Sequence, residues 1–433
     1  MNTFSIELSN NVYVNHVGLA YIAKFLNSKT FKFRIDRVSK IKKISGVIPD
    51  YDIIKTFIAL ITLGKTDFGD VEQYRKDKFF KKLLNLQSVP SEGTLRQRFE
   101  TYDQDMWTVI RQINAELLAA YSSDQAIEIN GKPYMKLDSD VTPLDNSGSN
   151  KEGVERTYKH FDGFAPMMSY YGRSGFMVNN ELRPGKAHSN CPGTVEYFAQ
   201  TIELAKRISD LPWFALCDSG NDDRKLVLQF LEKGVEFIIK LNFRKEPLEK
   251  YINYAKLNGT AIVLREGCTK YFCNWSRDAG DKSIPLSLIV IEKTMEKNGQ
   301  LCLEPQHHVE AFWNSLNLDP EMVLELYHNH GTMEQYHSEF KSDLDLEKLP
   351  SGKFSSNYSI MLVGMLAFNL LRITGNALLG TKQVPGKRGN RLRLRTVMLN
   401  VIYMAGQYID HARQNILKIY NGYQWTPAFE MIM

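Results

Sequence analysis

A chain of 433 residues is long for one compact core, so two or three structural units are expected. Hydrophobic residues at 43% and charged residues at 24% exclude large-scale disorder, and a net charge of only +5 gives no warrant for a nucleic-acid partner from the total alone. Five cysteines at irregular spacing suit a reduced intracellular protein rather than a disulfide framework.

Residues 1–10 lack a charged region followed by an apolar run, so no secretory signal is expected. Up to about residue 130 the chain reads as helical, with apolar residues at helical spacing in 17–26, 53–63 and 107–118. Pro90-Ser91-Glu92 marks a capped helix start with Arg96 and Arg98 in its first turns. Such a unit suits DNA binding and a plain helical bundle equally.

The texture changes after Asn130. Residues 134–141 read as a strand, and the turn-rich run 145–153 as a loop. Two strands, 165–171 and 176–182, flank Gly172-Arg-Ser-Gly175, a hairpin signature. Helix 194–208, strand 213–217, helix 225–232 and strand 235–240 come next. This order predicts an α/β fold, a mixed sheet with helices packed on it.

Strand-like segments at 261–265, 271–275, 286–291 and 300–303 predict a β-rich insertion, about 243–315, set between the core sheet and the helical C-terminal third. Residues 332–345 and 358–373 read as helices. The apolar stretch 360–371 is too short to span a bilayer and reads as a buried helix, so no membrane association is expected. A basic run (Lys382, Lys387, Arg388, Arg391, Arg393, Arg395) meets no acidic residue nearby and reads as a phosphate-contacting stretch. A last helix is expected from Val397 to about Tyr420.

Asp140 and Asp218 each end a predicted strand, where an open α/β sheet places its site. They can face each other only if their strands are neighbours. Glu334, from a helix, is a third carboxylate that would complete a cluster suited to hard divalent cations. Two such ions stabilise both the attacking and leaving oxygens of a phosphodiester displacement. On chemistry alone the signal is weak, because strand-end aspartates are more often turn formers or caps.

Several motifs in order resemble the bacterial insertion-sequence transposases of the DDE type. They are Gly148-Ser-Asn-Lys-Glu-Gly153, Glu181-Leu-Arg-Pro-Gly-Lys-Ala-His-Ser189, Asp218-Ser-Gly220, Leu349-Pro-Ser-Gly-Lys-Phe354 and Ala367-Phe-Asn-Leu-Leu-Arg372. The resemblance spans roughly residues 50–420. It implies a retroviral-integrase-like (RNase H-like) catalytic fold and a metal triad of Asp140, Asp218 and Glu334 holding two Mg²⁺ or Mn²⁺ ions. It further implies cleavage at transposon ends with strand transfer into target DNA, by a homodimer on paired terminal inverted repeats.

The family signature Y-(2)-R-(3)-E-(6)-K falls on Tyr327, His330, Glu334 and Lys341, with His330 where the family has arginine. In the family these positions contact end phosphates, and histidine offers neither a permanent charge nor a bidentate fork. The resemblance favours Asp140 over Asp138 because Asp140-Val-Thr142 matches the family's Asp-x-Thr. Lys387, Arg388, Arg391 and Arg393 are the further DNA-binding candidates.

Three regions are therefore expected: a helical DNA-binding region 1–130, a catalytic domain 131–345 and a basic helical region 346–433. The expected location is cytoplasmic and nucleoid-associated. A non-transposing nuclease and a catalytically dead DNA-binding protein are the rival readings. Gly64-Lys65-Thr66 lacks the glycine a phosphate-binding loop requires, Ala59 standing in its place. Cys268, Cys273, His307 and His308 fit no familiar zinc spacing. His188 reads either as a neighbour of the site or as a structural hairpin-end residue.

Overall fold

The computed structural model describes residues 4–41, 46–122, 125–328, 331, 333–386, 389–411 and 414–433. It divides into two compact units. The first comprises residues 1–122, 144–154 and 337–433, and the second 123–143 and 155–336. The terminal regions join because of one helix, Phe354–Gly380, which is apolar on nearly all sides and needs covering all round. Helices Asp50–Thr62 and Gln104–Tyr121, from the other end of the chain, pack against it.

At 27 residues this helix is longer than expected and has the length and apolarity to cross a membrane, yet it is mostly buried in the protein. Two of its buried polar side chains are matched internally: Asn369 donates to Asn114 at 2.7 Å, and Arg372 donates to Glu339 at 2.9 Å. Buried amides and charges persist in a core only when so matched.

Glu339 also pairs with Arg391 and accepts the Leu394 amide at 2.9 Å, while Asp343 accepts Arg393 at 2.9 Å. The basic run therefore does meet acids in the fold. Arg391 and Arg393 meet acids that lie about fifty residues earlier in the chain, so they serve internal ion pairs. Arg395 places its backbone amide on Asp343 at 3.1 Å. Lys387 and Arg388 lie outside the described residues. In the N-terminal region Ser91 caps helix Glu92–Phe99 as expected, but Arg96 pairs with Glu92 and the buried Arg98 with Asp50 at 2.6 Å.

The last expected helix is also corrected. Residues Leu394–Ile402 are helical, but Gly406–His411 and Gln414–Ile419 form an antiparallel hairpin. The hairpin adds to strand Val12–Val14, with Val12 opposite Tyr408, and the Tyr408 ring lies 5.3 Å from Phe79. Pairing with a strand almost four hundred residues away overrides the local helical spacing.

The second unit is a mixed α/β layer built on a ten-stranded sheet. Its strands are β1 (Ala126–Ile129), β2 (Lys132–Val141), β3 (Met167–Tyr171), β4 (Phe176–Glu181), β5 (Trp213–Cys217), β6 (Glu236–Lys240), β7 (Thr260–Arg265), β8 (Cys268–Ala279), β9 (Lys282–Met295) and β10 (Leu301–Asn314). The order is β7-β8-β9-β10-β6-β5-β2-β3-β4, with β1 paired to the start of β2. The insertion strands thus do not stand apart from the core sheet. They extend it, through antiparallel pairing of β10 with β6.

Helices α1 (Thr194–Ile208) and α2 (Arg224–Lys233) cover one face, where Phe198, Phe230 and Phe237 meet edge to face and tilted at 5.3–5.7 Å. On the other face Tyr134, Phe214, Leu216 and Ile238 pack with Val323 and Leu324 of α4 (Pro320–His328). Between α2 and α4 in the chain runs α3 (Glu249–Asn258). Coverage on both sides explains why β3, β5 and most of β4 are buried at every position.

Replacing Glu339 by Ala strands the buried Arg372 guanidinium and should lower the unfolding free energy by about 3–5 kcal/mol, read from denaturant titration. Arg391→Ala should cost clearly less, because that side chain is partly exposed. Equal small losses in both would contradict the role given to Glu339.

Candidate active site

β2 and β5 run parallel, in register from Met135–Trp213 to Ser139–Cys217. The next step along both strands sets Asp140 beside Asp218, at their carboxyl ends. The alternation of β2 puts Tyr134, Lys136, Asp138 and Asp140 on one face. Asp138 is buried there and paired with Lys136 at 2.9 Å. Asp140 and Asp218 instead line a shared cavity of about 390 Å³, together with Tyr158, His188, Ser189, Asn190, Ser219, Gly220, Asn242 and Arg244. Of the two β2 aspartates, the geometry brings Asp140 to Asp218.

Asp218 caps the short turn Ser219–Asn221. Its Oδ1 accepts the Gly220 amide at 3.1 Å and the Asn221 side-chain amide at 2.8 Å, which fixes the carboxylate plane. Asp140 Oδ1 accepts the Val141 amide at 2.7 Å. A Cβ at Gly220 would lie 2.7 Å from Ser189 Oγ, so glycine lets the 184–193 loop close on this turn.

Neighbouring groups register the concentrated negative charge. Burial, then the charges of Asp218, Asp138 and Asp140, push the Cys217 thiol well up. Partial burial, then Asp140 and Asp218, push the Tyr158 phenol to about 12. Tyr327 on α4 is shifted up by burial and then by Asp218, Cys217, Glu310 and Asp140. Its ring packs on Phe312 at 4.8 Å, with Lys240 Nζ 5.8 Å from its centre.

The third expected carboxylate is placed differently. Glu334 lies exposed in the first turn of α5 (Met333–Ser338) and does not line the cavity. Among the described residues, no three His, Cys, Asp or Glu side chains converge as a metal-binding group. His330 lies outside the described residues. Lys341 belongs to the first unit, half-buried in the π-helical turn Glu339–Asp343. Of the cysteine–histidine set, His307 hydrogen-bonds Glu292 at 3.2 Å, and the buried Cys273 thiol donates to the Asn274 carbonyl at 3.5 Å.

Helix α5 is docked on the β3–β4 hairpin. Tyr336 donates to the Arg173 carbonyl at 3.3 Å and its ring lies 5.3 Å from Tyr170. The hairpin turn requires glycine at residue 175, where φ is +67° and a Cβ would lie 2.3 Å from the Tyr336 ring. The hairpin signature in the sequence is therefore also the seat of the helix that carries Glu334.

Tyr158, Asn242 and Arg244 were not legible as site residues. They sit in loops after strands, and no spacing ties them to Asp140 or Asp218. His188 does line the cavity, as one of its two readings allowed.

With that geometry in place, comparison with known proteins gives the class. Residues 16–433 match the family model described as transposase DDE domain group 1, and the chain belongs to that family of transposases. Among solved structures it is similar to the cryo-EM structure of the piggyBac transposase synaptic complex with hairpin DNA, at 14% identity and a TM-score of 0.46, over 90% of this chain and 80% of that one. No curated protein matches the chain.

Gly175→Ala should lose about 1–3 kcal/mol of stability through overpacking against Tyr336. In a double-mutant cycle the cost should shrink once Tyr336 is Ala. Strictly additive costs would place the ring elsewhere.

Proposed function

We propose that the chain is a DNA transposase that hydrolyses a strand at each end of its element and joins the freed 3′ end to target DNA. The observation that carries this reading is the pairing of Asp140 with Asp218 at the carboxyl ends of adjacent parallel strands, in a member of the DDE family. The ten-stranded layer would then be an elaborated RNase H-like sheet, with β7–β10 as its extension.

The donor set fits a hard divalent cation. Mg²⁺ takes one or two carboxylates and keeps water and phosphate as its other ligands. Asp140 and Asp218 supply hard oxygens in one cavity, and their charge adds to burial in raising the phenols of Tyr158 and Tyr327. They would hold Mg²⁺ or Mn²⁺ ions, and Glu334, exposed on α5 outside the cavity, would have to come to them on DNA binding to serve as the third carboxylate. Bound divalent ions stabilise the attacking and leaving oxygens of a phosphodiester displacement.

The chain's own residues orient that chemistry. Gly220 and Asn221 hold the Asp218 carboxylate so that it need not reorganise during reaction. In the first step a water oxygen bonds to phosphorus and the 3′ oxygen leaves with a proton. In the second that 3′-hydroxyl bonds to a target phosphorus and a target 3′ oxygen leaves, so one phosphodiester bond replaces another. Tyr327, His330 and Lys341 would position end phosphates, which sets register without reading sequence. A homodimer on two ends would complete the assembly. Arg391 and Arg393 are committed to internal ion pairs and are not needed for DNA in this reading.

The test is a paired-end assay with the DNA that flanks the gene, scored for cleaved and for joined product. Asp140→Asn and Asp218→Asn should each lose cleavage by more than about 100-fold, the upper cost of losing even an outer-shell partner of a metal, with DNA binding retained. Cleavage without joined product would leave a nuclease. Activity unchanged in both variants would leave a DNA-binding protein without catalysis.

A further inference from the structure

Arg244 is the only Lys or Arg among the described residues that line the Asp140–Asp218 cavity. Arg183 pairs with Glu181 at 2.6 Å and Arg277 with Glu246 at 2.7 Å, whereas Arg265, like Arg244, donates to backbone carbonyls. Arg244 makes no ion pair among the described residues, although two aspartates line the same cavity. Its Nη2 donates instead to the Asp222 backbone carbonyl at 2.8 Å. That contact leaves the donors at Nε and Nη1 for another acceptor.

The backbone is built to hold this arrangement. Arg244 has φ +52°, the left-handed region that disfavours a long side chain. Asn242 Oδ1 accepts its amide at 3.0 Å and sustains the turn. Asp222 then locks the loop from both sides: its buried carboxylate accepts the Asn242 amide at 3.0 Å and Trp313 Nε1 at 2.7 Å. Asp222 lies four residues beyond Asp218, so the turn that sets the carboxylate also sets the arginine. A strained, anchored guanidinium without a carboxylate partner, beside two metal-type aspartates, has the chemistry of an anion site.

We propose that Arg244 binds a backbone phosphate of the DNA strand being cut and presents it to Asp140 and Asp218, with Asn242 and Asp222 as positioning residues. This rests on the DNA-cleaving reading of the same cavity. It adds a phosphate contact that lies outside the tyrosine–histidine–glutamate–lysine signature.

The full-length chain, Arg244→Ala and Arg244→Lys are compared on a fluorescein-labelled duplex of the DNA flanking the gene. Binding is followed by anisotropy across a salt series, cleavage in single turnover, and folding by thermal melting. Arg244→Ala should reduce the slope of log Kd against log salt by about one and slow cleavage about 100-fold, with melting unchanged. Arg244→Lys should restore the slope but not the rate, since lysine keeps the charge without the fork. A lower melting temperature with an unchanged slope overturns the proposal and leaves Arg244 a loop brace. If the wild-type chain cleaves and both variants keep slope and rate, the phosphate site fails while the transposase reading stands. If the wild-type chain binds with a slope set by Arg244 but does not cleave, a phosphate contact at Arg244 stands, while the transposase reading and the presentation of a scissile strand to Asp140 and Asp218 both fail. A wild-type chain that does not bind DNA overturns both.

Discussion

Backbone hydrogen bonds between β2 and β5 carry more of the account than any side-chain contact. Parallel pairing from Met135–Trp213 to Ser139–Cys217 brings two chain segments almost eighty residues apart to the same level at the carboxyl edge of the sheet. A slip of one residue would turn Asp140 to the opposite face and seat Ser139 or Val141 beside Asp218. The buried residues on both faces prevent that slip. Leu216 and Phe214 on one side, and Ser139 bonded to Ser169 at 2.7 Å on the other, each fit only one register. The hydrophobic layers thus specify the alignment of the two carboxylates.

The same constraint accounts for the difference between Asp138 and Asp140. Both point to one face, but Asp138 lies a step deeper, where Lys136 neutralises it and burial closes it off. Asp140 lies at the rim with Asp218, and their charges combine. Two like charges in one cavity are unfavourable unless a cation joins them. Burial raises the phenols of Tyr158 and Tyr327, and the charges of Asp140 and Asp218 add to that rise. Asp222 adds a second level of order, because it ties the turn after Asp218 to the loop after β6 and to Trp313 on β10. The insertion strands are thereby joined to the wall of the cavity as well as to the sheet.

Local pattern was sufficient where local forces decide. The strand ends at Asp140 and Asp218, the hairpin at Gly172–Gly175 and the helix Thr194–Ile208 follow from alternation, turn chemistry and helical spacing. Long-range pairing was not legible in the same way. Gly406–Ile419 reads as helix until Val12–Val14 offers it a strand edge. Arg391 and Arg393 read as unpaired until folding supplies Glu339 and Asp343. The union of the two chain ends follows from the need to cover Phe354–Gly380, which a linear reading divides between regions. Arg244 carries no motif, and only the placement of β6 beside β5 brings its loop to the aspartates.

The proposed reaction requires that Asp140 and Asp218 form one cation site. Mn²⁺ binding to the full-length chain, followed by electron paramagnetic resonance of the free ion, tests it without reference to DNA. The wild-type chain should bind Mn²⁺ in competition with Mg²⁺. Asp140→Asn and Asp218→Asn should each weaken binding by more than about tenfold, whereas Asp138→Asn should retain it. Equal affinity in the wild-type chain and in the Asp140 and Asp218 variants would contradict the claim.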